Sequence, residues 1–229
     1  DLDALPGRVA VVGAGYIGIE LGTALAKLGS QVTILEAQDR ILPGMNAAAA
    51  KELSRSLRRQ GMTIQLGAAI HGMSDEGVAV SVAGETTVVP ADLVVVAVGR
   101  CPATADLGLD KAHVVVTERG YISVAGDLRC RPHIAAIGDV TEGPGLAHRA
   151  TAEARIAVAA LCGEPMQADH VIPTIVFSDP EIASVGKSLA DAQKDYPSAT
   201  EATVPVARAG RSFVEQSSRG FATLVYDGD

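Results

Sequence analysis

Arg8 to Glu36, RVAVVGAGYIGIELGTALAKLGSQVTILE, constrains the fold of this chain more than any other stretch. Val9 to Val12 is an apolar run of β-branched and small residues, suited to a strand buried on both faces. Gly13, Gly15 and Gly18 follow at the spacing G-x-G-x-x-G. A helix is predicted next. Its apolar positions Ile17, Leu21, Ala24, Leu25 and Leu28 recur every three to four residues, and Gly29 ends it. A second apolar run, Val32 to Leu35, closes on Glu36.

Each part of this βαβ unit has a physical job. Gly13 permits a tight turn out of the strand. Gly15 has no side chain to hold a pyrophosphate off the backbone, and Gly18 lets the helix pack close to the sheet. The free N–H groups at the helix start, with the helix dipole behind them, favour phosphate. A carboxylate at Glu36 accepts the ribose hydroxyls of NAD and repels the 2′-phosphate of NADP. Glycine-rich turns are common. Here strand, helix, second strand and terminal acid all fall at the required offsets, and together they predict dinucleotide binding.

The chain has 229 residues, enough for one large domain or two ordinary ones. With 48% apolar residues it can bury a substantial core. A formal charge of −8 disfavours nucleic acid and anionic membranes as partners. No apolar stretch is long enough to span a bilayer; Val89 to Val98 is too short and contains Asp92. No signal-peptide pattern stands at the start. Cys101, Cys130 and Cys162 are odd in number and far apart, without metal spacing. They read as buried or partly buried free thiols in a reducing compartment, the cytoplasm.

Along the chain, Asp1 to Gly7 reads as a linker and Asp39 to Gly44 as a loop. Asn46 is placed to cap a helix running to Gln60, with Leu53 and Leu57 on its buried face and Gly61 at its end. Thr63 to Leu66, Val78 to Val82 and Thr86 to Val89 are short runs broken by glycines, predicting an antiparallel meander beside a parallel sheet. Ala91 to Val98 returns as a continuous apolar strand ending at Gly99-Arg100. Beyond Glu118, Tyr121 to Val124 is extended and Ile134 to Ile137 reads as a buried strand ending in Gly138-Asp139. Leu146 to Leu161 reads as a helix, stopped by Gly163, Glu164 and Pro165. From about Val171 come the strands Thr174 to Phe177, Ile182 to Val185, Ala202 to Val206 and Phe221 to Tyr226, with a short helix capped by Ser188. Phe221 to Tyr226 looks like a hairpin strand without its partner.

Six stretches in order, VVGAGYIGIELG, EAQDRILPG, VAVGRCPAT, AAIGDV, GLAHRATAEA and FSDPEIASVG, cover nearly the whole chain. On them the chain resembles the middle of the flavoprotein pyridine nucleotide-disulfide oxidoreductases, and among these the dihydrolipoamide dehydrogenases. The resemblance implies an α/β architecture in three pieces. These are a Rossmann-like NAD-binding domain (1–117) with a parallel sheet and small antiparallel meander, part of an FAD domain (118–168), and the start of an α+β dimer-interface domain (169–229).

For NAD, the resemblance implies contacts from Gly13, Ala14, Gly15, Tyr16, Ile17, Gly18 and Glu20, with Glu36 on the ribose. Ile70 would meet the adenine through its backbone, and Gly99 would close the cleft. Glu20 matches a residue near the nicotinamide; read by itself it is also an exposed helix acid. For FAD, Asp139 matches the acid on the ribityl chain, and Gly145, Leu146, Ala147 and His148 match the loop that approaches the isoalloxazine ring. His148 is read as positioning that loop, not as the acid–base residue. Taken alone, Gly138-Asp139 also fits a plain left-handed turn and Arg100 a solvated loop charge. The family follows this Arg with Pro-Asn-Thr, whereas Cys101-Pro102-Ala103-Thr104 lacks the Asn.

The family's first glycine fingerprint and its redox cysteine pair would precede Asp1, and its acid–base His and Glu would follow Asp229. No catalytic or metal-ligating residue is therefore assigned. The chain is expected to be a central fragment, inactive alone, of a homodimeric enzyme. That enzyme would pass electrons from dihydrolipoamide, carried on a lipoyl-bearing acyltransferase of a 2-oxo acid dehydrogenase complex, through a disulfide and FAD to NAD⁺. Two other readings stand beside it: an NADPH-dependent disulfide or mercuric reductase, and a freestanding NAD-binding regulatory module. The run Glu36 to Asp39 lacks the basic residues that a 2′-phosphate needs before Arg40.

Overall fold

The βαβ unit forms where its pattern places it. In the computed structural model, which describes residues 3–164, 171–214 and 219–228, strand β1 (Arg8–Val12) is followed by helix α1 (Tyr16–Leu28) and strand β2 (Gln31–Glu36). Next come α2 (Ala47–Arg59), β3 (Thr63–Leu66), β4 (Ala69–Ser74), β5 (Gly77–Val82), β6 (Glu85–Pro90) and β7 (Leu93–Val96). A four-stranded sheet has the order β3-β2-β1-β7, and every pairing in it is parallel. Val9 to Val12 lies centrally, registered against Val32 to Leu35 on one side and Leu93 to Val96 on the other.

Alternation along β1 sorts two cores. Val9 and Val11 join Ile19 of α1 and Leu53 and Leu57 of α2. Ala10 and Val12 face the opposite way and join Leu35 with Val78, Val80 and Val89 of the antiparallel sheet β4-β5-β6. Helices thus cover one face of the parallel sheet and the meander covers the other. Asn46 Oδ1 accepts hydrogen bonds from Ala48 N and Ala49 N at 2.9 and 3.2 Å, so α2 starts as predicted.

The buried face of α1 differs from the expected one. Gly18, Ile19, Gly22 and Thr23 are buried, whereas Leu21 is 44% and Leu28 67% exposed. Close packing is the reason. A Cβ on Gly22 would stand 3.4 Å from Val32 Cγ1, so the helix lies on the sheet along its small residues, with Leu25 at the edge of that core and Leu21 and Leu28 turned outward.

The chain divides into two compact units, Arg100–Thr174 and the remainder, Asp1–Gly99 with Ile175–Asp229. In the first of these, β8 (Arg129–Arg131) and β9 (Ile134–Ala135) form a short hairpin, and a single 3₁₀ turn, Gly138–Val140, precedes α3 (Ala147–Leu161). The run expected as a strand to Ile137 is a ladder only at Ile134–Ala135. Gly138 turns at φ 71° and gives its N–H to Glu153, which takes the chain out of the sheet. Ile122 makes isolated bridges to Val116 and Thr141. The helix stop read at Pro165, and the boundary at 168/169, lie outside the described residues.

The last segment contains β10 (Thr174–Val176), β11 (Ile182–Ser184), α4 (Leu189–Asp195), β12 (Thr200–Pro205), α5 (Gly210–Val214) and β13 (Phe221–Tyr226). Val176 is fully buried in the core beneath α1 and α2, and Ser188 caps α4 as expected. β13 has its partner within the chain, contrary to expectation. All six of its residues pair antiparallel with β12, from Thr200↔Tyr226 to Pro205↔Phe221. The sequence signal was two runs of strand-forming composition, Ala202 to Val206 and Phe221 to Tyr226, obscured by the long connection between them. Among the described residues no helix is long and apolar enough to cross a membrane. Of the thiols, Cys101 and Cys162 are exposed rather than buried, and Cys130 is half-buried.

Candidate dinucleotide and flavin sites

The glycine loop is shaped by contacts that leave no room for side chains. Gly13 takes φ 100°, and a Cβ there would lie 2.4 Å from Ala97 O; a Cβ on Gly18 would lie 2.0 Å from Gly13 O. Gly15 is different, because a Cβ there would meet nothing within 4 Å. Its glycine leaves open space in front of the loop. Gly15 is also the N-cap of α1, with no side-chain cap and no acid in the first turn. The N–H groups at the start of α1 therefore keep their field for a ligand.

Glu36, only 8% exposed, bridges two backbone segments at the end of β2. Its Oε2 accepts from Ala14 N at 2.7 Å and its Oε1 accepts from Gln38 N at 2.9 Å. The other side of the Ala14 peptide is held as well, since Leu42 N donates to Ala14 O at 2.9 Å. Ile41 and Leu42 are buried, so the segment read as a plain loop is a second clamp on the glycine turn. Two apolar residues between Arg40 and Pro43 were the signal for it. These features fit an NAD diphosphate and ribose: an open cradle, an uncapped helix start and an acid at the strand tip.

Of the other residues read for NAD, Ile70 stands half-buried on β4 beside the register shift of that strand and packs toward the Leu35 core. Gly99 follows β7 at φ 134° and is exposed. Tyr16 packs on the helix-side core. Glu20 has a protein partner: Phe177 N donates to its Oε1 at 2.9 Å. The segment after β10 is tied to the same unit twice more, by Lys27 to Asp179 at 2.8 Å and by Gln60 Nε2 donating to Asp179 O at 2.6 Å.

In the other unit, Asp139 is exposed on the 3₁₀ turn, 3.8 Å from Arg100 Nη2, a loose pair in water. Gly145 is glycine for a steric reason. Its Cβ would sit 3.2 Å from Asp139 Oδ1. Leu146 is the N-cap of α3, again without a side-chain cap, so the N–H groups of Ala147, His148 and Arg149 have no partner inside the helix. His148 Nε2 donates to Pro173 O at 2.6 Å, which makes it a tether rather than a free base. An exposed carboxylate beside an uncapped helix start fits the polar and electron-rich parts of a flavin.

Two buried charged side chains beside this turn went unread. Arg149 and Glu153 form an ion pair at 2.7 Å with side chains 8% and 6% exposed. The signal was present: opposite charges four residues apart on the helix face that also carries Ile156, Ala157 and Ala160. Among the described residues no group of three or more His, Cys, Asp or Glu could hold a metal ion.

Comparison with known proteins agrees with this geometry. Residues 1–154 match the pyridine nucleotide-disulphide oxidoreductase family and residues 172–229 match its dimerisation domain. The chain is 41% identical over 233 residues to a dihydrolipoyl dehydrogenase of Bacillus subtilis, covering 98% of this chain and 49% of that protein. It is 37% identical to the enzyme of that name from Haloferax volcanii, covering 99% and 50%. It therefore spans about half the length of the curated relatives it matches. Among solved structures, the HOCl-induced flavoprotein disulfide reductase RclA of Escherichia coli superposes with a TM-score of 0.88 at 32% identity, covering all of this chain and 53% of that one. LpdA of Mycobacterium tuberculosis does so at 0.85 and 29%, covering 98% and 50%. With its glycine cradle, its strand-tip acid and matches along nearly its whole length, the chain belongs to the pyridine nucleotide-disulphide oxidoreductase family.

Proposed function

We propose that this chain is the NAD-holding and part of the FAD-holding portion of a dihydrolipoyl dehydrogenase, which oxidises the dihydrolipoamide of a lipoyl-bearing acyltransferase and reduces NAD⁺. The observation that carries the cofactor choice is Glu36. Its two oxygens are fixed by Ala14 N and Gln38 N at the tip of β2, where ribose hydroxyls can be accepted and a 2′-phosphate is repelled. Dihydrolipoamide as electron donor is supported by the names of the relatives.

In this reading Gly13 to Gly18 orient backbone N–H groups at the diphosphate, Ile70 meets the adenine, Glu20 lies near the nicotinamide and Gly99 closes the cleft. Asp139 holds the ribityl chain, and Gly145, Leu146, Ala147 and His148 present the helix start to the ring. Bound flavin supplies the two-electron relay between dithiol and nicotinamide. We assign 1–117 to the NAD domain, 118–168 to the FAD domain and 169–229 to the interface of a cytoplasmic homodimer.

The test uses the intact gene product. It should be yellow, should reduce NAD⁺ with dihydrolipoamide, and should bind NADH more tightly than NADPH. A yellow protein that prefers NADPH would instead be an NADPH-dependent disulfide or mercuric reductase. A colourless protein that still binds NADH would be a regulatory module.

A further inference from the structure

The buried pair on α3 is built to hold a loop. Arg149 uses all three of its guanidinium nitrogens. Nε donates to Glu153 Oε1 at 2.7 Å, Nη1 to Pro144 O at 3.0 Å, and Nη2 to both Thr141 Oγ1 at 2.8 Å and Glu142 O at 2.9 Å. Glu153 spends its second oxygen on the turn, accepting from Gly138 N at 2.7 Å. Thr141 Oγ1 closes the ring by donating to Gly138 O at 2.8 Å. Gly143, at φ 141°, wraps so closely that a Cβ there would lie 2.6 Å from the guanidinium carbon.

This arrangement costs desolvation. A buried ion pair is seldom more stabilising than an apolar pair of similar volume, so stability alone does not account for it. What it does supply is a fixed spacing. The turn that carries Asp139 is bonded to both side chains, and the loop that leads into α3 is bonded to Arg149, whose own partner Glu153 sits one helical turn along. Asp139 follows Gly138 on that turn and lies against Gly145, two residues before the uncapped N–H groups of 147–149 begin.

We propose that Arg149 and Glu153 are positioning residues for a flavin, setting the Asp139 carboxylate and the α3 N–H groups at one spacing. The inference rests on the flavin reading above. Neither side chain is asked to touch the cofactor; each acts through backbone that does.

The test uses the intact flavin-loaded protein and three variants: the apolar pair Arg149→Met/Glu153→Leu, and the single changes Arg149→Lys and Glu153→Gln. The apolar pair should keep the fold but melt below wild type, because Gly138 N and the Glu142 and Pro144 carbonyls lose their partners. It should release FAD about tenfold faster or more, the scale for losing a charged hydrogen bond. Its flavin absorption bands and midpoint potential should shift. Arg149→Lys keeps the charge but loses the fork, and should move the same readouts in the same direction. Glu153→Gln keeps an acceptor for Gly138 N and should move them least. Should the apolar pair fail to fold, Arg149→Lys decides alone. Unchanged release, spectrum and potential in the variants that fold overturn the inference. A wild-type protein without flavin overturns the flavin reading, and the inference with it.

Discussion

Gly18 lies so close to Gly13 that a Cβ on it would be 2.0 Å from Gly13 O, while a Cβ on Gly15, between them, would meet nothing within 4 Å. The three glycines of one motif are therefore glycine for different reasons. At position 18 the obstacle is backbone, which cannot swing aside. Gly18→Ala should destabilise the protein by about 3 kcal/mol or more, the upper range for overpacking. Gly15→Ala, at an ordinary φ of −70°, should melt like wild type and lose NADH affinity by about tenfold or more, since the methyl group occupies the diphosphate's space. Thermal melts and NADH titrations of both variants check this. Equal melting temperatures would remove the distinction.

The exchanged face of α1 gives a second contrast. Ile19 is fully buried and Leu28 is 67% exposed. Ile19→Ala should cost about 2–5 kcal/mol. Leu28→Ser should change stability by no more than about 0.5 kcal/mol. Chemical denaturation measures both, and a large loss at Leu28 would restore the face that the leucine periodicity suggested.

Local patterns were legible in the sequence, and tertiary geometry was not. The βαβ unit and the Asn46 and Ser188 caps follow from neighbours within a few residues, so spacing and residue type suffice. Of the three runs expected in the meander, Val78 to Val82 and Thr86 to Val89 pair antiparallel, whereas Thr63 to Leu66 joins the parallel sheet beside β2 and β4 takes its place. The face of α1 was misread because hydrophobic periodicity weighs large side chains, whereas close approach to a sheet selects Gly18 and Gly22. The β12–β13 pairing joins residues more than a dozen positions apart, and no spacing rule reaches across that connection. Around Asp139 the sequence suggested the exposed acid but not its support. Arg149 and Glu153 take their meaning from backbone groups of a turn whose path depends on them.

The start of β1 is held by charge. Arg8 Nη2 lies 2.5 Å from Asp92 Oδ1, and Arg8 N donates to Asp92 Oδ2 at 2.8 Å. Hydrogen bonds from the Arg8 side chain and then its backbone hold the Asp92 carboxyl below its ordinary 3.8. Its contribution is therefore present above that value and is lost as pH falls through the lower folded-state value. Asp92→Asn should reduce stability at neutral pH, and the gap to wild type should close on acidification below the ordinary carboxylate range. Melts across pH 2 to 7 (roughly the span over which a carboxylate titrates) check the sign. A gap that widens in acid would exclude this role.

Glu36→Ala should weaken NADH binding about 10- to 100-fold, the range for losing hydrogen bonds to a charged group, and narrow the preference over NADPH. Fluorescence titration of both cofactors reads it. An unchanged ratio would exclude Glu36 as the selector.

The two hydrogen bonds that Glu36 accepts, from Ala14 N and Gln38 N, bear on how the proposed cofactor choice could be re-engineered. On the proposed NAD reading, discrimination and loop shape reside in one side chain. A redesign toward NADPH cannot simply delete the acid and add an arginine, because two buried-side N–H donors would be stranded and the glycine turn loosened. It must also bring a neutral acceptor to the tip of β2, such as a serine or asparagine oxygen, so that the turn keeps its geometry after the negative charge has gone.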